Sequence, residues 1–373
     1  LIDRSDAPGL YVHVPFCKTK CPYCDFYSST SGADVPRWLS YLAREISLYS
    51  GMFSHFDTVY LGGGTPSLLG EHEISILMNA VTSAFHIAGD SEITIELNPD
   101  DVTPSKLSVY RDLGINRISL GVQSLCDAEL RFLGRRHNAN RALDAIHEIR
   151  DAGFDNLGID LIYGFAGQGI ASWERTLRRA LDLSPEHISC YQMTIEHDTP
   201  FGRMRAEGSI REPDEELQRR FFVTTGEFLH AHGYIHYEIS NFARGESLIA
   251  RHNSKYWRHV PYLGLGPAAH SFRENRRWWN VRSVADYCRA IENGKVPVTG
   301  AELLEPGQIE LEKIYLGLRT RDGVDLELVS RNMPARRALR RLQKESLVQI
   351  TGGRAAPTPK GFLVADELPL LFF

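Results

Sequence analysis

Three cysteines within eight residues constrain this chain more than any other feature. Cys17, Cys21 and Cys24 stand in Pro15-Phe-Cys-Lys-Thr-Lys-Cys-Pro-Tyr-Cys-Asp-Phe-Tyr27, spaced C-x3-C-x2-C, just after the largely apolar run Leu10 to Val14. A disulfide would leave one thiol over, and the composition is not that of a small secreted scaffold. A structural zinc site wants four closed ligands, so His13 or Asp25 would have to complete it. Iron–sulfur clusters are held by cysteine thiolates, usually four. Three would leave one iron free for another ligand, the open position that a catalytic metal needs. On spacing alone the cluster leads and zinc follows.

After the cysteines the chain alternates between helix and strand patterns. A helix is expected over Val35–Tyr49, with Trp38, Leu42, Ile46 and Tyr49 spaced by three or four. Strand-like segments are Thr58–Leu61, Glu92–Leu97, Arg117–Val122, Asn156–Ile162, His187–Met193 and Ile235–Ile239. Helical patterns fall between them, near 71–86, 104–112, 127–151, 171–183 and 214–232. Pro104 after Thr103 starts a helix, and Gly114 and Gly153 follow helix ends. Strand–helix–strand units with short loops imply parallel strands and right-handed crossovers. With Leu10–Val14, six or seven such units fit between residues 9 and 242, too few for an eightfold barrel. Function in such folds collects at the C-terminal strand ends. Glu96, Gln123 and Asp160, polar residues within or ending apolar strands, are therefore candidates, as is Arg135 in Gly-Arg-Arg-His-Asn.

The chain has 373 residues, 43% of them hydrophobic, and a net charge of −5. That suits a large domain with an accessory one. It offers no basic surplus for nucleic acid or anionic membrane. No run of 18 apolar residues occurs, and the first ten residues lack the basic and apolar regions of a signal peptide, so a cytoplasmic protein is expected. Cys126, Cys190 and Cys288 are scattered and read as small buried hydrophobes.

The cysteine spacing resembles the signature of the radical S-adenosylmethionine (SAM) superfamily. The resemblance implies a [4Fe-4S] cluster on Cys17, Cys21 and Cys24, with SAM chelating the fourth iron. Tyr11, six residues before Cys17, matches an aromatic SAM contact of the related porphyrin-pathway enzymes. Gly62-Gly63-Gly64-Thr65-Pro66 resembles the glycine motif that hydrogen-bonds the SAM amino group, although the same glycines also suit a tight turn. Glu96, Gln123, Arg135 and Asp160 match the SAM-binding residues of the oxygen-independent coproporphyrinogen III oxidase family. The roles make chemical sense: carboxylates can accept from ribose hydroxyls or an ammonium, and a guanidinium can pair with a carboxylate. The implied fold is α/β, an open (β/α)6 partial barrel with a small C-terminal winged-helix-like domain.

Two branches of that family are distinguished by particular residues. The oxidases carry a fourth cysteine two residues after the third, where this chain has Phe26, and a longer segment ahead of the cluster. His252-Asn253-Ser254-Lys255-Tyr256-Trp257 instead resembles the H-N-x-x-Y-W heme motif of HemW-like heme chaperones, as do Tyr237–Ala243 and Tyr262–His270. This resemblance implies a heme chaperone with an unidentified heme-acceptor protein as partner and a homodimer as a compatible assembly. The alternative is an oxidase that decarboxylates coproporphyrinogen III, so whether the chain is an enzyme stays open. His252 is the expected axial ligand, with His259 and His270 as rivals. Asn253, Tyr256 and Trp257 complete the motif, and Arg251, Lys255 and Arg258 could pair with propionates. The expected layout is a core over 1–245 with its cluster loop at 15–27, a connecting region over 246–300 carrying the heme motif, and a C-terminal domain over 301–373.

The last part reads as two helices, around Ile309–Leu318 and Arg336–Leu342, then a hairpin and a short helix from Pro359. The arginines of 331–341 read as a solvated face, not a nucleic-acid site, and Leu368–Phe373 is expected to dock onto the barrel. Gly264-Leu-Gly-Pro-Ala-Ala269 fits a dinucleotide pattern superficially, but Pro267 removes a donor and no strand–helix–strand unit surrounds it.

Overall fold

A computed structural model describes residues 6–372. Residues 1–5, the start of the N-terminal stretch, and Phe373, the end of the apolar tail, lie outside the described residues. In chain order the first half runs β1 (Gly9–Val14), α1 (Val35–Tyr49), β2 (His55–Gly63), α2 (Glu71–Ala84), β3 (His86–Leu97), α3 (Pro104–Asp112) and β4 (Arg117–Gln123). Then come α4 (Asp127–Phe132), α5 (Ala139–Asp151), β5 (Leu157–Tyr163), α6 (Ile170–Asp182), β6 (His187–Gln192), α7 (Pro200–Ala206) and α8 (Glu215–Ala231). Strands β1 to β6 pair in sequence order, all parallel, as helical crossovers require.

The pleat sorts their side chains. Val59, Leu61, Ile93, Ile95, Ile118, Leu120, Leu157, Ile159 and Ile188 are buried in the main apolar core, which includes Leu42, Leu77, Leu107, Ile146 and Leu177 of the covering helices. The alternate positions are polar or small: Thr58, Tyr60, Thr94, Glu96, Arg117, Ser119, Asp160 and Ser189. Some of these bond one another on the inside of the curved sheet, as Tyr60 does with Glu96 and Ser119 with Asp160, while Thr94 Oγ1 and Arg117 Nε have no partner.

Two expectations about the barrel's elements need correction. The helical pattern near 127–151 is two helices, α4 and α5. Gly134 at φ +65° turns the chain between them, where a Cβ would press on Pro22. The Asn138 side chain then accepts from Arg141 N at 2.8 Å and starts α5. The segment Ile235–Ile239 is no further barrel strand: β7 (Ile235–Glu238) forms a hairpin with β8 (Asn241–Ala243), and β8 pairs antiparallel with β6.

The barrel does not close. On the β1 side the sheet continues through β9 (Tyr262–Leu265), parallel to β1. Antiparallel β10 (His270–Arg273), β11 (Arg276–Asn280) and β12 (Val298–Leu303) follow. Gly264 lies where a Cβ would strike the His270 carbonyl, so the glycines of 264–266 serve this tight reversal. Glu45 of α1 ties the region down: it is fully buried and accepts from Gly266 N, Asn280 Nδ2 and Tyr287 OH at 2.8, 2.6 and 2.6 Å. Tyr287 belongs to α10 (Val284–Glu292). Helix α9 (Arg251–Trp257) lies across the N-terminal ends of β1 to β3. Its Arg251 and His252 amides donate to the Glu92 carboxylate, both at 2.9 Å. The ammonium of Lys255, 1% exposed, sits 2.7 Å from Asp57 Oδ1, off the hydrogen-bond direction, and donates to Ala7 O at 2.6 Å.

The C-terminal part has its own core. Helices α11 (Pro306–Gly317) and α12 (Met333–Lys344) pack with a three-stranded sheet of β13 (Val324–Asp325), β14 (Val348–Thr351) and β15 (Arg354–Pro357), and with α13 (Pro359–Phe362). The apolar tail docks here and not on the barrel, because Leu368 and Phe372 join Ile314, Leu339 and Leu342. Several arginines of α12 and the turn before it have local partners, among them Arg331 with Glu310 and Arg341 with Glu345. Cys190 and Cys288 are buried, whereas Cys126 is half-exposed just ahead of α4.

Breaking the buried Asp57–Lys255 pair tests the anchoring of α9. Asp57→Asn is expected to destabilise the fold by about 3 kcal/mol, since it strands a buried ammonium. Adding Lys255→Met is expected to restore most of the loss in thermal melting, because Lys255 then no longer carries a charge into the interior.

Candidate functional site

The C-terminal ends of the parallel strands open into a cleft of about 650 Å³. Ten of the residues singled out from the sequence line it: Cys17, Cys21, Cys24, Gly63, Gly64, Thr65, Glu96, Gln123, Arg135 and Asp160. They come from five strand ends or the loops after them, which is what parallel strands with loops at one end produce.

The three thiols are partly exposed and unpaired. Burial pushes the Cys24 thiol up, and Cys21 and Cys17 add to that as negative neighbours. Thr65 Oγ1 lies 3.3 Å from Cys17 Sγ, and Arg135 Nη1 donates to Cys21 Sγ at 3.5 Å. Arg135 also holds the Gly121 carbonyl at 3.0 Å. Among the described residues no three His, Cys, Asp or Glu side chains close on a single ion, the arrangement that a zinc site needs.

The glycine loop is pressed against the cysteine strand. Gly64 N donates to Val14 O at 2.9 Å, and a Cβ on Gly64 would meet the Phe16 and Val14 carbonyls. Gly63 stands at φ +111°, where a side chain would meet the His13 ring. Its amide donates to Glu96 Oε2 at 3.2 Å, while Tyr60 OH donates to Glu96 Oε1 at 2.8 Å. Even so, burial pushes Glu96 up to about 7, against those hydrogen bonds and with Asp160 adding to the rise. Asp160 accepts from Ser119 Oγ at 3.1 Å and is likewise raised by burial.

Gln123 ends β4 at φ 64°, a conformation that a non-glycine residue adopts at a cost. Its Oε1 and the Nε of Arg135 are buried with no protein partner. Between them Gly121 leaves room: a Cβ there would lie 2.9 Å from Gln123 Nε2 and 3.4 Å from Arg135 Nη2.

Sequence reading missed other lining residues, among them Tyr60, Ser119, Tyr191 and Arg136. The signal for the first three was parity: each stands two residues along a strand from another inward polar or small residue. Phe26, at the oxidase family's fourth cysteine position, is 69% exposed on the rim.

The remaining expected residues lie away from the cleft lining. Tyr11 packs beside Tyr60 and shares a hydrogen bond with His13 Nδ1 at 3.0 Å. His252 sits at the opposite, N-terminal end of the barrel, 1% exposed. Both ring nitrogens are engaged, Nδ1 with Thr58 Oγ1 at 2.9 Å and Nε2 with Tyr256 OH at 2.8 Å, and the ring lies against Tyr60. Burial, then the charges of Lys255 and Arg117, push its pKa down to about 3, so the imidazole is neutral. Asn253, Tyr256 and Trp257 are half-buried on the same helix, and Arg319 of the C-terminal part lies over the Trp257 ring at 5.7 Å. His259 Nε2 faces Glu312 Oε2 at 2.9 Å, and His270 is exposed beside Trp279. The structure thus gathers the cysteine and strand-end residues into one site and sets the H-N-x-x-Y-W residues in another.

Comparison with known proteins agrees with this architecture. Residues 11–180 match the radical SAM superfamily, and residues 305–364 match the HemN C-terminal domain. Heme chaperone HemW of Mycobacterium tuberculosis is 34% identical over 368 residues, covering 96% of this chain and 93% of that one. Heme chaperone HemW of Bacillus subtilis is 34% identical over 84% of each chain. The solved structure of Escherichia coli coproporphyrinogen III oxidase, HemN, superposes with a TM-score of 0.85 at 24% identity, over 99% of this chain and 91% of that one; this is a likeness of fold. With that identity sustained along nearly its whole length, the chain belongs to the HemW family of the radical SAM superfamily.

Proposed function

We propose that this chain is a heme chaperone that carries a [4Fe-4S] cluster and SAM in its cleft and hands heme to an acceptor protein. The observation that carries the cofactor part is the meeting of Cys17, Cys21 and Cys24 with Glu96, Gln123, Arg135 and Asp160 in one cleft. The heme part rests on the relatives' names and on the H-N-x-x-Y-W motif.

The residues present suit both cofactors. Three partly open thiols offer soft ligands to separate irons, which need no common centre. The unpartnered Gln123 Oε1 and Arg135 Nε, with the Gly121 gap between their side chains, suit a polar ligand that has both donors and a carboxylate. Bound and reduced, a cluster of this kind supplies one electron to a sulfonium. The chain's own part is to orient. Arg135 faces Cys21 and can take the SAM carboxylate. Glu96, steadied by Tyr60 and Gly63, can accept from the SAM amino group. Asp160, steadied by Ser119, can accept from ribose hydroxyls. Tyr11 acts from behind Tyr60.

Heme, the cargo, belongs in this reading to helix α9, with Trp257 and Tyr256 as flat surface and Arg258 among the cationic groups for propionates. His252 has the neutral ring that iron ligation needs. Its Nε2 becomes available only when Tyr256 gives up its bond, so heme binding and the release of Tyr256 are one event.

Three outcomes test the proposal. Replacing Cys21 by Ser is expected to abolish cluster assembly, read as iron and sulfide per chain after anaerobic reconstitution. SAM affinity is expected to rise with pH through about 7 as Glu96 ionises, and to lose that dependence in Glu96→Gln. In heme titrations followed at the Soret band, His252→Ala is expected to weaken binding by roughly tenfold or more, because an axial ligand is lost. Tyr256→Phe is expected to tighten it. Saturable binding that ignores both substitutions would move the ligand to His259 or His270. Absence of saturable binding, with robust anaerobic formation of protoporphyrinogen, would sink the chaperone reading.

A further inference from the structure

Asp101 lies just after β3, outside the cleft lining, yet its side chain is 1% exposed. Its carboxylate accepts from three loops at once. Lys18 Nζ donates to Oδ1 at 3.0 Å. Arg136 Nη2 donates to Oδ1 at 3.1 Å and Oδ2 at 3.3 Å. Ser67 Oγ donates to Oδ2 at 3.2 Å. Lys18 and Arg136 themselves line the cleft, and each partner is close in the chain to a residue singled out there. Lys18 lies between Cys17 and Cys21 in the chain. Ser67 is two residues past Thr65, whose hydroxyl faces Cys17 Sγ. Arg136 follows Arg135, which reaches Cys21 Sγ.

A second ring of bonds holds the acceptor itself. Ser67 Oγ accepts from Asn98 N at 3.0 Å, Lys106 Nζ donates to Ser67 O at 2.7 Å, and Asp100 lies 3.8 Å from Arg136. Removing this buried carboxylate takes the ion-pair partner from Arg136, whose side chain is 25% exposed, while Lys18, 52% exposed, can turn to water. The short segment after β3 that carries Asp101 is fixed by the Asn98 side chain, which accepts from Asp100 N at 3.1 Å.

We propose that Asp101 is a positioning residue that holds the cysteine loop, the glycine loop and the Arg135 loop in register with one another. It sets the spacing between the thiols and the groups that face them without itself lining the cleft. What the loops hold rests on the cofactor reading above; that they are held together by Asp101 does not.

Hydrogen exchange on the ligand-free chain tests the clamp directly. In Asp101→Asn the amides of 17–25, 64–68 and 134–137 are expected to exchange together, roughly tenfold faster or more, because each loop loses its shared tie. Strands β1 to β5 keep their protection. Loops that stay at wild-type rates, or loosening confined to 99–103, would overturn the proposal. If Asp101→Asn does not fold, Arg136→Gln decides instead. It is expected to loosen 134–137 and, through the shared carboxylate, 17–25; a change confined to 134–137 overturns the clamp. In reconstituted protein, Asp101→Asn is expected to raise the SAM Kd roughly tenfold, and the double variant with Arg136→Gln to do no worse than the weaker single one. A wild-type chain that binds no SAM would refute the cofactor reading alone, leaving the exchange rates to judge the clamp.

Discussion

The alternation of side chains along six parallel strands governs the rest of this structure. A strand sends successive residues to opposite faces, so one face of the sheet is spent on the covering helices and the other lines a shared interior. Here the outward set is largely Val, Ile and Leu, and the inward set largely polar or glycine. Inward polar groups of a curved sheet must find partners across the barrel, because burial without a partner is costly. Many do so in short chains, Tyr60 to Glu96, Ser119 to Asp160 and Thr58 to His252, while Gln123 Oε1 and Arg135 Nε at the cleft do not. The interior is therefore a fixed array of hydroxyls, carboxylates and guanidinium groups, arranged before any ligand arrives.

Six strands curve without closing, and the chain handles each free edge differently. Beyond β1 it adds β9 to β12, locked by the buried carboxylate of Glu45. Beyond β6 it adds the β8–β7 hairpin, and Tyr237 O of that hairpin accepts from Arg321 N of the C-terminal part. Neither end strand of the barrel is left as an unpaired edge, which removes a template for aggregation. The opening that remains at the C-terminal strand ends is the cleft.

The two ends of the barrel consequently differ in kind. At the C-terminal end, half-buried thiols, a strained Gln123 and unpartnered polar atoms face a cleft. At the N-terminal end, helix α9 is fastened by Glu92 and Asp57, and His252 is fully bonded. Tyr60 touches both ends, giving its hydroxyl to Glu96 and its ring face to His252. In the proposed chaperone the cofactor site and the heme motif are thus joined through Tyr60, while they sit at opposite ends of the barrel.

Much of this was legible in the sequence, because the signals are local. The cysteine spacing, the apolar strands, the Thr103-Pro104 helix start and the glycines after helices each occupy a few neighbouring residues. They pointed to six or seven β/α units with parallel strands and to ten of the residues that line the cleft. What the sequence could not decide depends on partners far away along the chain. Gly134 turns the chain at a positive φ, where Pro22 would leave no room for a Cβ, and that turn delivers Arg135 to Cys21. The segment 235–238 is a hairpin arm because β8, not a seventh crossover, covers β6. The tail packs on its own small domain because Ile314 and Leu339 offer the nearer apolar surface. His252 meets Thr58 across 194 residues, and Asp101 meets Lys18 across 83. Local chemistry chose the elements and the candidate ligands; only tertiary packing, which brings separate loops to one carboxylate and turns one histidine away from the cleft, decided which of them meet.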